Sequence, residues 1–124
     1  MNIAELLHQN PTPTDVALID RSKNPALEVS VAEITNQVHV FAQAMIDFGL
    51  TPGARIGLLA GNLGEYYTVM FGAPAAGMVF VPLHTRLPES TLQYIIQDAD
   101  LKLLITDVSH AEFSADVPKV VIGS

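Results

Sequence analysis

The sequence predicts an α/β protein in three layers, a mainly parallel sheet flanked by helices. Three observations carry that expectation: short apolar runs rich in branched residues, helical stretches between them, and glycines where those stretches stop. Residues 66–87, YYTVMFGAPAAGMVFVPLHTRL, show the unit whole. A helical segment rich in small residues passes through Gly77 into MVFVPL, an apolar strand that ends at a proline.

Taken in order, residues 2–9 form a short amphipathic helix with Ile3, Leu6 and Leu7 on one side, and the PTPT run at 11–14 stops it. VALID at 16–20 reads as a strand, with residues 28–29 as a weak extended partner and Asn24-Pro25 in the reversal between them. Residues 11–29 are thus an irregular, short-strand region within a single α/β subdomain spanning 1–124.

Ser30 and Glu33 make a capping box that starts a helix. Ile34, Val38, Phe41, Met45 and Phe48 then recur at spacings of four, three, four and three, one apolar face that ends at Gly49. RIGLLA at 55–60 is apolar enough for a strand covered on both faces. Asn62 and Glu65 repeat the capping signature and open the next helix. Pro74 falls inside that helix, and Gly72 and Ala76 predict a close approach to the sheet. A strand at 78–82 follows, then a loop at 83–87, and a helix from Pro88 and Glu89 with Leu92, Ile95 and Ile96 on its buried face. Strands at 102–106 and 119–123 complete the set, with residues 109–113 as a linker or single helical turn. Four apolar strands interleaved with helices argue for a mainly parallel sheet with right-handed crossovers.

Composition narrows the function. Of 124 residues 49% are hydrophobic and only 15% charged, against roughly 25% in an average soluble protein. Lys and Arg total 6, Asp and Glu 13, and the net charge is -7, so a nucleic-acid partner is not expected. Cysteine is absent, which excludes disulfides, thiolate metal sites and a cysteine nucleophile. The N-terminus MNIAELLHQN lacks the basic region and cleavage site of a signal peptide, and a cytoplasmic location is expected. Residues 66–84 reach transmembrane length, but Gly72, Pro74, Gly77 and Pro82 interrupt them, so no transmembrane span is predicted.

Catalytic motifs are missing. There is no GxGxxG after a strand and no GxxxxGK[ST]. Gly57, Gly61 and Gly64 surround a strand-to-helix turn and raise the idea of a phosphate cradle, but their spacing fits neither loop and turn geometry explains them better. His8, His39, His84 and His110 lack metal-ligand spacing, and Asp98, Asp100 and Asp107 are not held together by any element, so no metal site is expected. His84, with Arg86 two residues on, lies after a parallel strand, where open α/β sheets place their ligands. These two are the only ligand-contact candidates; the plainer reading makes them loop residues. No catalytic residue is assigned.

The ordered motifs resemble the N-terminal portion of the adenylate-forming (AMP-binding) enzymes, among them acyl-CoA synthetases, peptide-synthetase adenylation domains and luciferases. Residues 30–34, SVAEI, are similar to that family's early "serine or threonine, aromatic, any, glutamate, leucine" motif, with Val31 for the aromatic. RIGLLAGN at 55–62 resembles "RVALLLPN". Residues 75–83, AAGMVFVPL, resemble "KAGxVYVPL", with Ala75 for lysine and Phe80 for tyrosine, and HTRL at 84–87 resembles "NPRL". LLITD at 103–107 continues the match, which covers nearly the whole chain.

The resemblance implies a ligase that activates a carboxylate with ATP and Mg²⁺ and passes the acyl group to a thiol such as coenzyme A, as in fatty acid metabolism. It also implies that the phosphate loop, the later nucleotide motifs and the lid lysine lie beyond Ser124. No cofactor is therefore assigned to this chain, which is expected to be an inactive scaffold fragment. Its expected partner is the rest of the ligase polypeptide, or another copy met through apolar surface. Two alternatives stand beside this: a non-catalytic dimerisation module, and an independent small nucleotide-binding α/β protein.

Overall fold

The computed structural model describes residues 14–123, and the helix expected at 2–9 lies outside them. The chain order is β1 (Val16–Asp20), β2 (Leu27–Ser30), α1 (Val31–Asp47), β3 (Arg55–Leu59), α2 (Glu65–Ala75), β4 (Val79–Pro82), α3 (Glu89–Asp98), β5 (Leu101–Asp107), a 3-10 turn (Val108–His110) and β6 (Lys119–Ile122). β1 and β2 pair antiparallel as a separate ribbon. The other strands form one parallel sheet in the order β4-β3-β5-β6. The weak partner strand expected at 28–29 is longer than predicted, and the turn expected at 109–113 is the 3-10 turn.

The central strands are apolar because both of their faces are covered. Ile56, Leu58, Leu103 and Ile105 are fully buried on the side of α1 and α2. Leu59, Leu104 and Leu101 pack on the other side with Leu83 and with Leu92 and Ile96 of α3. Two helices on one face and one on the other make the three layers. Ile34 and Val38 of α1 also pack on Val29, joining the ribbon to the body.

The capping box at α1 is present: the Glu33 amide donates to Ser30 Oγ at 3.1 Å and the Ser30 amide to Glu33 Oε2 at 3.3 Å. α1 and α2 end in the same way. Gly49 and Gly77 take φ of 100° and 79°, and the following amides of Leu50 and Met78 reach back to the Met45 and Ala73 carbonyls. A residue in the left-handed region costs nothing only as glycine, so the small residue defines each exit. Asp100 does the same at the end of α3 with φ of 54°.

Three expectations need correction. Asn62 does not cap α2: the helix starts at Glu65 after Gly64, with no side-chain cap bond. Its Glu65 carboxylate is drawn instead to Lys23 Nζ, 2.9 Å away. Gly72 serves an approach to α1 and not to the sheet; a Cβ there would lie 2.4 Å from Cδ1 of Phe41. Phe48, the last member of the expected apolar face, is 53% exposed because α1 ends at Asp47 and overruns the core.

Gly72→Ala is expected to destabilise the chain. Crowding against the Phe41 ring, about 1–3 kcal/mol, exceeds the gain in helix propensity of about 1 kcal/mol. In a Phe41→Leu background the sign reverses. Urea titration of the four combinations checks this, and an equal effect in both backgrounds would exclude the ring as the cause.

Candidate functional site

In an open α/β sheet a ligand crevice forms outside the carboxyl ends of the strands, where successive connections leave in opposite directions. Here β3 leads through α2 to β4 on one side, and β5 leads through the 3-10 turn to β6 on the other. The crevice therefore lies between the 60–64 loop and the end of β5. The Asp107 side chain lies there, bonded to the loop.

Asp107, 6% exposed, accepts the Gly61 amide on Oδ2 at 2.8 Å and the His110 amide on Oδ1 at 3.0 Å. The same Oδ1 lies 2.5 Å from His110 Nδ1. Asp20, at the end of β1 and 4% exposed, holds the other end of the loop by accepting the Gly64 amide at 2.9 Å. It also accepts the Ser22 amide at 3.0 Å and the Ser22 hydroxyl at 2.5 Å, and Lys23 Nζ stands 3.7 Å away, bridging to Glu65. A Cβ on Gly64 would sit 2.6 Å from Asp20 Oδ2, so this glycine admits the carboxylate. Gly57, the third of the triplet, lies inside β3 and makes room for Leu101, whose Cδ1 a Cβ would meet at 2.4 Å.

Burial pushes both carboxyls up, and their hydrogen bonds overcome it. For Asp20 these come from the Ser22 side chain and amide and the Gly64 amide, with the Lys23 charge adding to them; for Asp107 they come from Gly61 and His110. Each is held below its ordinary 3.8. Lys23 is raised, chiefly by its bond to Glu65. The loop amides that would cradle a phosphate are thus already bonded to anions. These residues do not fit a nucleotide phosphate. Among the described residues no group of three or more His, Cys, Asp or Glu side chains could hold a metal ion.

His84 and Arg86 follow β4, the strand paired with β3. Both are exposed in the turn after β4. His84 Nδ1 accepts the Arg86 amide at 3.1 Å, which leaves the ring proton of the neutral imidazole on Nε2. Sequence reasoning missed Asp20 and Asp107 as anchors. The available signal was a carboxylate ending each of two apolar strands, VALID and LKLLITD, but nothing local says that both meet one glycine loop.

A parallel sheet covered by helices on both faces, with its crevice at the strand ends, is the architecture of nucleotide-handling α/β enzymes. The family model described as AMP-binding enzyme matches residues 7–122, and the chain belongs to that family. It is 33% identical over 84 residues to a feruloyl-CoA synthase of Amycolatopsis sp, covering 68% of this chain and 17% of that protein. Against the fatty acid–[acyl-carrier-protein] ligase ScoC of Streptomyces coeruleorubidus it is 28% identical over 100 residues, covering 81% and 18%. The N-terminal domain of FACL13 from Mycobacterium tuberculosis superposes with a TM-score of 0.86 at 25% identity, over 98% of this chain and 34% of that one. The chain therefore spans less than a fifth of these curated relatives. Among the described residues no helix is long and apolar enough to cross a membrane.

The lowered carboxyls set the acid response. A group whose folded pKa lies below its unfolded value stabilises the fold above the unfolded value, near 3.9, and ceases to do so as pH falls through the folded one. Stability is expected to hold from neutrality to about pH 5 and to decline below about pH 4. Asp107→Asn is expected to cost about 1–3 kcal/mol at pH 7, a deficit that shrinks toward pH 3. Urea midpoints measured across this range check both statements; a deficit independent of pH would show that charge is not involved.

Thr106, fully buried in β5 beside Leu59, has a hydroxyl without a hydrogen-bond partner. Thr106→Val keeps the shape and removes that desolvated group, so a gain of about 1 kcal/mol is expected in thermal or urea unfolding. A loss of that size would mean that the hydroxyl is bonded.

Proposed function

We propose that this chain is the N-terminal scaffold of an ATP-dependent carboxylate-activating ligase of the acyl-CoA synthetase type, acting in the cytoplasm. The observation that carries the reading is the loop's bond to Asp107. At the one place where this sheet geometry would hold a nucleotide, Asp107 bonds the Gly61 amide, so the loop braces the fold. The names of two relatives, a feruloyl-CoA synthase and a fatty acid–carrier-protein ligase, support an acyl substrate joined to a thiol. ATP, Mg²⁺ and coenzyme A or a carrier thiol are then ligands of the whole ligase. Within it, His84 and Arg86 are the proposed contacts from this portion, being exposed on the carboxyl side of the sheet.

A second reading, a dimerisation module, draws on the exposed apolar side chains of Val40 and Ile46 on α1 and of Phe48 just past its end. Sedimentation decides it: a concentration-dependent dimer lost on Phe48→Lys favours the module.

The purified chain is expected to show no carboxylate-dependent exchange between ATP and pyrophosphate. Exchange stimulated by feruloyl or fatty acids would overturn the scaffold reading, because the chemistry would then reside in these residues.

A further inference from the structure

A cavity of about 660 Å³ opens between α3 and residues 114–117, at the amino end of β5 and so at the opposite end of the sheet from the 60–64 loop. Its volume suits a small molecule. The floor is apolar: Ile96 of α3 and Leu101 of β5 are buried, and Val117 is half-buried. The walls are polar and carry one sign of charge. Asp100 and Asp116 line the cavity, and no lysine, arginine or histidine does. Tyr94, 66% exposed, is the aromatic member of the lining.

The two sides of the cavity are tied together. Gln93 Nε2 donates to the Ser114 carbonyl at 3.2 Å, which holds α3 to the 114–117 segment. Asp100 is placed there at a cost. α1 and α2 exit through Gly49 and Gly77 at positive φ, whereas α3 exits through Asp100 at φ 54°, a conformation that favours glycine. The carboxylate kept at that position has one cationic partner, Lys102, whose Nζ lies 3.1 Å from Oδ2, with the two side chains 53% and 73% exposed. So open a pair holds its members weakly. Asp116 enters no ion pair among the described residues.

This lining opposes anions. A nucleotide, a fatty acid or a coenzyme A thioester would bring negative charge to two carboxylates with no cation in the wall to answer it. The converse ligand fits. A flat organic cation covers Ile96, Leu101 and Val117 with its apolar body, meets the carboxylates with its charge and stacks on the Tyr94 ring. The net charge of -7 draws such a cation toward the chain. We infer that the α3 cavity binds a small organic cation of the amidinium or guanidinium class, held by Asp100, Asp116 and Tyr94. The site shares no residue with the 60–64 loop and stands apart from the scaffold reading. Lys102 is then a competitor for Asp100.

Benzamidine is the probe, with neutral benzamide and anionic benzoate as controls of similar shape. In amide NMR titrations of the chain, benzamidine is expected to bind with a Kd of about a millimolar or tighter, as suits a ligand of few atoms. It is expected to shift the amides of Gln93, Gln97, Leu101 and Val117, which benzamide and benzoate leave in place at the same concentrations.

Asp116→Asn and Tyr94→Ala change exposed side chains, so their thermal melts should match that of the parent chain, while each weakens benzamidine about threefold or more. Lys102→Gln frees Asp100 and strengthens binding by a similar factor of about three. Gln97→Lys supplies a cation within the wall and abolishes binding. Benzamide or benzoate binding as well as benzamidine would overturn the charge assignment and the proposal with it. Benzamidine shifts centred on other acidic positions such as Glu33 and Asp47, or a Kd unchanged in both Asp116→Asn and Tyr94→Ala, would overturn the site.

Discussion

Two hydrogen bonds to one loop, from the Gly61 amide to Asp107 and from the Gly64 amide to Asp20, set the position of everything around the sheet's carboxyl end. The loop carries the chain from β3, the strand between β4 and β5, into α2, and it must turn without a side-chain cap. A helix start leaves several N–H groups without partners, and buried donors need acceptors. Here the acceptors come from strands on either side. Asp107 belongs to the sheet and Asp20 to the ribbon, so the loop ties the two together as well as starting the helix. A carboxylate near a helix start is also favourably placed against its dipole.

From that anchor the packing follows. α2 enters beside β3 and meets α1 at Gly72, where Phe41 lies over the missing side chain. Gly57 performs the same service inside the sheet, admitting Leu101 from β5. These close approaches allow Met45 and Ala42 of α1 to share one core with Ile56 and Leu103. On the other face Arg55 Nη1 bonds the Ala99 carbonyl at 2.9 Å, a positive group at the end of α3 where free carbonyls gather. The small residues are thus places where neighbouring elements press in.

What the residues disclosed depended on whether the partner was local. Ser30 and Glu33 are three positions apart, and their capping box could be read directly. So could the exits at Gly49 and Gly77, because a left-handed residue after an apolar helical stretch is a property of one position. The same local pattern misled at Asn62 and Glu65. Lys23, 42 positions away, takes the Glu65 carboxylate, and Asp20, 44 positions away, takes the Gly64 amide that marks the start of the helix. Asp107 was visible as the end of an apolar run, but its role depends on β3 and β5 lying side by side in the fold. His84 and Arg86 were legible only as residues after a strand, and the turn joins His84 Nδ1 to the Arg86 amide.

The shortage of charge in the sequence has a matching pattern on the surface. The interior of the sheet is complete: Ile56, Leu58, Leu103 and Leu104 are entirely buried. Exposed apolar residues lie at its margins, Val79 on β4 and Val120 and Val121 on β6, and on the outer faces of α1 and the ribbon at Val40, Ile46, Val16 and Ile19. A free-standing sheet protein blunts its edges with charge, proline or bulges. This chain uses Pro82 on β4 and Lys119 on β6. The two edges differ in kind, and with them two kinds of exposed hydrophobic residue. A valine beside a blunted edge can remain on a surface without recruiting another strand. Val121 combines an apolar side chain with an outward amide and carbonyl, so adding a strand there satisfies the backbone and buries the side chain in one step.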